Sequence, residues 1–234
     1  MILKVYFNFG LDASVQMGLD QALFENLQEK GGDLFLRFYT IEPQAFTLGY
    51  FIKELPAGFG DGIPVVRRLT GGGIVTHSQD LVFALGARRD SFPFFRSTSE
   101  SYVAIHTAIR EGYRKMSVET SLVSCKEASC VKTASALKNV CFQNPVPGDL
   151  VAGSEKVAGG AQKREKGYFL HQGSLKLKGL NFNLEAVDLS EVLVNAFAEA
   201  WDLETEVEEL SPLVLARARE LADTKYKPVG AFVK

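Results

Sequence analysis

Arg67-Arg68-Leu69-Thr70-Gly71-Gly72-Gly73-Ile74-Val75-Thr76-His77 is the stretch on which the reading of the fold turns. Pro64 to Arg67 reads as a strand leading in, three glycines let the backbone turn tightly, and Ile74-Val75-Thr76 leads out as a second strand. That second strand excludes two common phosphate-binding loops. A P-loop needs G-x-x-x-x-G-K-[ST], a dinucleotide fingerprint needs G-x-G-x-x-G, and both must open a helix. Taken alone, the unit is either a turn between strands or a place where glycine amides and two guanidinium groups meet a carboxylate or phosphate.

Outward from this unit, strands and helices alternate without a long linker, repeat or low-complexity block. Leu3 to Phe9 and Leu34 to Tyr39 read as strands, and between them Ser14 is expected to cap a helix in which Val15, Leu19, Leu23 and Leu27 recur every four residues. Ala45 to Leu48, Pro64 to Arg67, Gly73 to His77 and Leu81 to Ala87 are spaced like neighbouring strands of one sheet. Tyr102, Ile105, Ile109, Tyr113 and Met116 predict a second helix covering it. Further strands are expected at Val118 to Val123, Asp149 to Val151, Lys156 to Ala158 and Tyr168 to Leu177. Val192, Ala196 and Ala200 mark a third helix, and Ser211-Pro212 opens a fourth with Ser at the N-cap and Pro at N1. The class is α+β or mixed α/β, an extensive sheet with flanking helices.

The chain has 234 residues, 46% of them hydrophobic, with a formal charge of −2. One domain spanning 1–234 is expected from that size. No apolar run approaches the ~20 residues of a membrane span, and MILKVYFNFG lacks a basic leader and cleavage site, so a cytoplasmic protein without a membrane partner is expected. Near-neutral charge argues against a nucleic-acid partner. Three cysteines are too few for a disulfide framework, and the C-x4-C of Cys125 and Cys130 has no nearby His to complete a zinc set, so no metal site is expected. Charge is nevertheless uneven: Lys126 to Lys178 carries nine basic residues against four acids, whereas Asn183 to Ala222 carries ten acids against two arginines. The basic stretch is either a solvated face or a surface for an anionic substrate or acidic partner.

A second glycine-rich segment runs Lys156-Val157-Ala158-Gly159-Gly160-Ala161-Gln162 and is followed by His171-Gln172-Gly173-Ser174-Leu175. By itself Lys156 is either a solvated strand lysine or an ammonium set among small residues to meet a ligand oxygen.

Together, R-R-x-T-G-G-G-x-V-x-H at Arg67 to His77, D-L-V at Asp149 to Val151, K-V-A-G-G-A-Q at Lys156 to Gln162 and H-Q-G-S-L at His171 to Leu175 resemble the lipoate-protein ligase and octanoyltransferase family. Met17 to Leu23 and Thr47 to Tyr50 fit the same layout, so the resemblance covers most of the first 180 residues. It implies the class II aminoacyl-tRNA-synthetase and biotin-ligase-like catalytic domain: α+β, with mixed, largely antiparallel sheets flanked by helices. It further implies transfer of a lipoyl or octanoyl group to a lysine of lipoyl carrier domains, such as the E2 subunits of 2-oxoacid dehydrogenases or the glycine cleavage H protein. Carried over residue by residue, Lys156 holds the acyl carbonyl, where negative charge develops as the amine attacks. Gly71, Gly72 and Gly73 lie along the acyl chain and its charged end, with Arg68 adding positive charge. His77, Asp149, Gly159, Ala161 and His171 complete the substrate-binding set.

The family activates its acyl group in two ways, and the residues point both ways. An intact Gly71-Gly72-Gly73 after two arginines resembles the ligases, which use ATP and Mg2+ to form an acyl-adenylate on lipoate or octanoate. Cys141-Phe142, followed by Asp149 and Lys156, resembles the cysteine-dependent transferases, which need neither; a thiolate near a lysine can accept an acyl group, although a lone Cys is as readily a buried structural residue. Only 54 residues follow Leu180, so the C-terminal accessory domain of many ligases is expected to be supplied by another chain or not needed. Ser78 replaces the Asp that follows His77 in many relatives. Gly167-Tyr168 stands where another octanoyltransferase type places its cysteine, and the G-R-G-R-x-G of biotin ligases is absent. The ligase is the first expectation and the Cys141 transferase its alternative.

Overall fold

The computed structural model describes residues 1–55, 62–124 and 145–228; Cys125, Cys130, Cys141 and Phe142 lie outside them. In chain order the elements are β1 (Ile2–Leu11), α1 (Ala13–Lys30), β2 (Leu34–Ile41), β3 (Ala45–Leu48), β4 (Val65–Arg67), β5 (Ile74–His77), β6 (Asp80–Arg88), α2 (Thr98–Lys115) and β7 (Ser121–Leu122). They continue with β8 (Leu150–Ala152), β9 (Glu155–Glu165), β10 (Tyr168–Lys176), β11 (Lys178–Gly179), β12 (Phe182–Asn183), α3 (Ala186–Trp201), β13 (Glu204–Val207) and α4 (Pro212–Thr224).

Among the described residues eight strands make the main sheet, in the order β13-β1-β2-β6-β10-β9-β8-β7. β1 runs parallel to β13 and β2, and the remaining neighbours are antiparallel. Period-two alternation sorts its side chains onto two faces. Leu34, Leu36 and Phe38 of β2, with Leu81, Phe83 and Leu85 of β6, join α2 and α3 in one core. Phe35, Tyr39, Val82 and Ala84 point the other way and join α1 and α4 in a second. Gly18 permits the close crossing of α1 and α4, because a Cβ there would overlap the Ala218 carbonyl. The α+β class with largely antiparallel sheets is therefore what the chain adopts. Among the described residues no helix is long and apolar enough to cross a membrane.

Four local expectations need correction. The strands from Ala45 to Ala87 do not share one sheet: β3 pairs with β4 and β5 in a separate three-stranded sheet, while β6 enters the main one. Nine residues long and buried along nearly its whole length, β6 has the length and apolar faces to be central, which three- and four-residue strands lack. Asp12 rather than Ser14 caps α1, its carboxylate accepting the Ser14 and Val15 amides at 2.9 and 3.1 Å. Val118 to Val123 narrows to the two residues of β7. Conversely, the strand expected at Lys156 to Ala158 extends to Glu165, because its pairing with β10 continues unbroken from Ala158–Leu175 to Glu165–Tyr168.

Candidate functional site

A cleft lies between the main sheet, α1 and the small sheet, open to solvent and holding about 470 Å³ of empty space. Register fixes its direction. Tyr39 pairs with Val82, Val82 with Ser174, and Ser174 with Gly159, so these four cleft residues form a row running across the strands. Three spacings of ~4.8 Å make that row about 14 Å long. Met17 of α1 and Thr47, Arg68, Val75 and His77 from the small-sheet side complete the walls.

Lys156 stands at the Gly159 end. Its Nζ lies 2.7 Å from Asp149 Oδ2, with 6% of the lysine side chain exposed and none of the aspartate. A Cβ on Gly159 would come within 2.6 Å of that Nζ, so the missing side chain is the space the ammonium occupies. Burying the pair demands that the carboxylate be fully hydrogen-bonded. Tyr102 Oη donates to Oδ1 at 2.6 Å, and the Val146 amide donates to Oδ2 at 2.7 Å.

Behind this pair, across the sheet, sit two buried histidines. His106 Nδ1 is 2.7 Å from the Gly148 carbonyl. Burial lowers its pKa to about 4. His171 stacks on Phe83 with ring centroids 5.4 Å apart, and burial, followed by the neighbouring His106, holds its pKa well below the usual imidazole value. Both rings are therefore neutral at pH 7. His171 thus lies on the α2 side of the sheet, whereas Lys156, Arg68, His77, Gly159 and Ala161 line the cleft itself.

The glycine turn is held rigidly from beneath. Arg68 donates to the carbonyls of Gly71 at 2.7 Å, Gly73 at 2.9 Å and Thr47 at 3.0 Å. Gly72 has φ +84°, the left-handed region that favours glycine, and Gly49 packs so closely on the Gly72 carbonyl that a Cβ could not fit. His77 bridges the two sheets, its Nε2 2.8 Å from Thr47 Oγ1 and its Nδ1 2.8 Å from Asp80 Oδ2. Arg67 instead ties down the Gly49 and Tyr50 carbonyls, at 3.2 and 3.1 Å. The Gly71 and Gly73 carbonyls thus hold Arg68, which lines the cleft, whereas Gly71, Gly72 and Gly73 do not line it themselves.

Sequence reasoning missed the opposite end. Asp20 accepts from Arg37 at 2.5 Å, from Tyr39 Oη at 2.7 Å and from Gln172 Nε2 at 2.6 Å, and Thr70 Oγ1 donates to Gln172 at 2.9 Å. The signal was present: a carboxylate between Leu19 and Ala22 on the apolar face of a helix, and an arginine inside the apolar run Leu34-Phe35-Leu36-Arg37-Phe38, are both out of place unless paired. Tyr102 reads in the sequence only as part of a helix face, and His106 is not singled out there.

A trough crossing a mixed sheet, with a carboxylate-held ammonium at one end and Arg68, the brace of the glycine turn, in its wall, is carried by a fold shared with lipoate-protein ligases. Lipoate-protein ligase A bound with ATP superposes with a TM-score of 0.77 at 19% identity over 96% of both chains. The bipartite lipoate protein ligase of Thermoplasma acidophilum, solved in a study that includes its E2 lipoyl domain, gives 0.74 at 17% identity over 96% of this chain and 93% of that one. The chain belongs to the lipoyl protein ligase A/B catalytic domain family, whose profile matches residues 12–212. The octanoyltransferase LipM of Brevibacillus brevis is 32% identical over 173 residues, and the match takes in 71% of this chain and 63% of that protein.

Proposed function

We propose that this protein transfers a lipoyl or octanoyl group to the ε-amine of a lysine on a lipoyl carrier domain. The observation that carries this reading is Lys156, held by Asp149 at 2.7 Å at one end of the cross-strand cleft. An acyl chain laid along the row from Gly159 to Tyr39 brings its carbonyl to that ammonium. As the attacking group adds, charge gathers on the carbonyl oxygen, and a cation already in place stabilises it without reorganisation. Arg68 stands in the wall on the small-sheet side, and Ala161, Val75 and Val82 are apolar lining.

Of the two routes, the thioester is placed first. The Cys141-Phe142 pair and the similarity to octanoyltransferase LipM support it. In this route the Cys141 thiolate attacks a donor thioester, a new C–S bond forms, and the donor sulfur leaves as thiolate. The acceptor amine then attacks, the C–N bond forms, the amine loses a proton and Cys141 is released. The second reading is a ligase, supported by the intact Gly71-Gly72-Gly73. ATP with Mg2+ would supply activation of the carboxylate as an acyl-adenylate, and Lys156 would hold its phosphate. Incubation with an octanoyl-carrier protein should add one octanoyl mass at Cys141, removable by hydroxylamine and lost in Cys141→Ser. Lipoate-dependent ATP–pyrophosphate exchange with no such adduct selects the ligase. Neither signal, with no carrier modified, overturns the proposed function.

A further inference from the structure

Helix α2 reaches the turn that carries Asp149 with two side chains one helical turn apart. Tyr102 Oη donates to Asp149 Oδ1 at 2.6 Å and accepts the Gly160 amide at 2.9 Å, so it spans from the carboxylate to strand β9. His106 Nδ1 sits 2.7 Å from the Gly148 carbonyl; a carbonyl only accepts, so this nitrogen carries the proton. The two rings lie 4.2 Å apart. Gly148 itself, at φ +89°, is pressed against the Tyr102 ring, which a Cβ would meet at 2.8 Å. The turn is thus held at consecutive residues from one face of one helix.

We infer that Tyr102 and His106 are positioning residues, which fix Asp149 and through it the place of the Lys156 ammonium over Gly159. A lysine is a point charge on a flexible stem. Stabilising a developing charge requires the donor within hydrogen-bond reach of one small volume, and a displacement of ~1 Å can cost about 100-fold in rate. Phe in place of Tyr102 and Leu in place of His106 would fill similar volumes without burying polar atoms, which burial alone would favour. The polar atoms that stand there instead meet the two residues that set the lysine's partner. His106 is neutral at working pH, as its burial requires, and so keeps its Nδ1 proton for Gly148.

This inference rests on the proposed acyl transfer for its kinetic arm, and a spectroscopic arm is independent of it. In steady-state octanoyl transfer by the full chain, Tyr102→Phe is expected to lower kcat about 10-fold or more while the acceptor KM changes less than about twofold, as for an interaction realised in the transition state. His106→Leu should do the same. His106→Asn, whose amide can replace the Nδ1 donor, should restore most of the loss. In parallel, the 15N-lysine spectrum should show a Lys156 ammonium signal protected from exchange, assigned with Lys156→Arg, that Tyr102→Phe broadens or shifts. A folded Tyr102→Phe with wild-type kcat and an unmoved ammonium signal overturns the inference. So does a His106→Asn variant no better than His106→Leu. A wild-type protein that transfers no acyl group overturns the proposed function instead, and the ammonium signal still decides the positioning role.

Discussion

Two buried carboxylate–cation pairs stand at opposite ends of the cleft, and they are built differently. Asp20–Arg37, 2.5 Å apart with neither side chain exposed, is enclosed by protein donors and acceptors: Arg37 Nε donates to Asn8 at 2.9 Å, and its two terminal nitrogens donate to Gln16 and Asp20. Asp149–Lys156 has its carboxylate closed in by Tyr102 and Val146, but its ammonium borders the cleft beside Gly159. A guanidinium fork suits the first task because it engages several fixed acceptors at once, whereas an ammonium is a compact charge suited to meeting one oxygen of a ligand. The contrast teaches that burial of charge alone does not mark a reactive centre. What marks it is which member of the pair faces the open space.

The largest effect should come from breaking the enclosed pair. Arg37→Met leaves Asp20 buried beside Tyr39 and Gln172 without its cation, and removing one partner of such a pair destabilises by about 3–5 kcal/mol. Urea denaturation should show that loss, and Arg37→Lys should recover little of it, because one ammonium cannot reach Asn8, Gln16 and Asp20 together. A variant within about 1 kcal/mol of wild type would erase the distinction between the two pairs.

The cleft pair should respond in rate. Lys156→Met keeps the stem and removes the charge, and acyl transfer should fall about 100- to 1,000-fold, the range for losing one preorganised donor to a developing oxyanion. Transfer at more than a tenth of the wild-type rate would mean that Lys156 is not the electrostatic centre.

How much of this contrast was legible beforehand depended on local chemistry. Lys156, Asp149 and the Arg67 to His77 unit stood out because glycine and charge fall together in short stretches of sequence. The helices were legible from period, and Ser211-Pro212 marked the start of α4 as expected. What could not be read was pairing across long separations. Asp20 meets Gln172 from 152 residues away, and Tyr102 meets Asp149 from 47. Periodicity assigns each to a face without saying which face it meets. The same limit hid the split between β3–β5 and β6, since short neighbouring strands read alike whether they share a sheet or not. His171 illustrates the converse: its motif marked it, yet alternation along β10 turns Gln172 and Ser174 toward the cleft and His171 toward Phe83.

The smallest expected effect uses the histidines that lie behind only the cleft pair. Burial lowers His106 to about 4, against an ordinary value of 6.5, and holds His171 well below that ordinary value in the same direction. Between 6.5 and about 4 the unfolded chain binds a proton at His106 that the folded chain excludes, so the stabilisation is complete above pH 6.5 and is lost as pH falls toward 4. His106 should therefore remove about 1.4 kcal/mol of stability per pH unit across that window, and His171 acts in the same direction. Carboxylates held low by surface pairs, such as Glu25 with Arg217, lose stability in the same sense at still lower pH, so the wild-type curve alone does not isolate the imidazoles. The difference between wild type and His106→Asn does, because asparagine keeps the donor to Gly148 and cannot titrate. Urea midpoints at pH 7, 6 and 5 should converge as pH falls. Parallel curves would mean that His106 is not held neutral by burial, and that the region behind the cleft pair is more open to water than the enclosed pair at the other end.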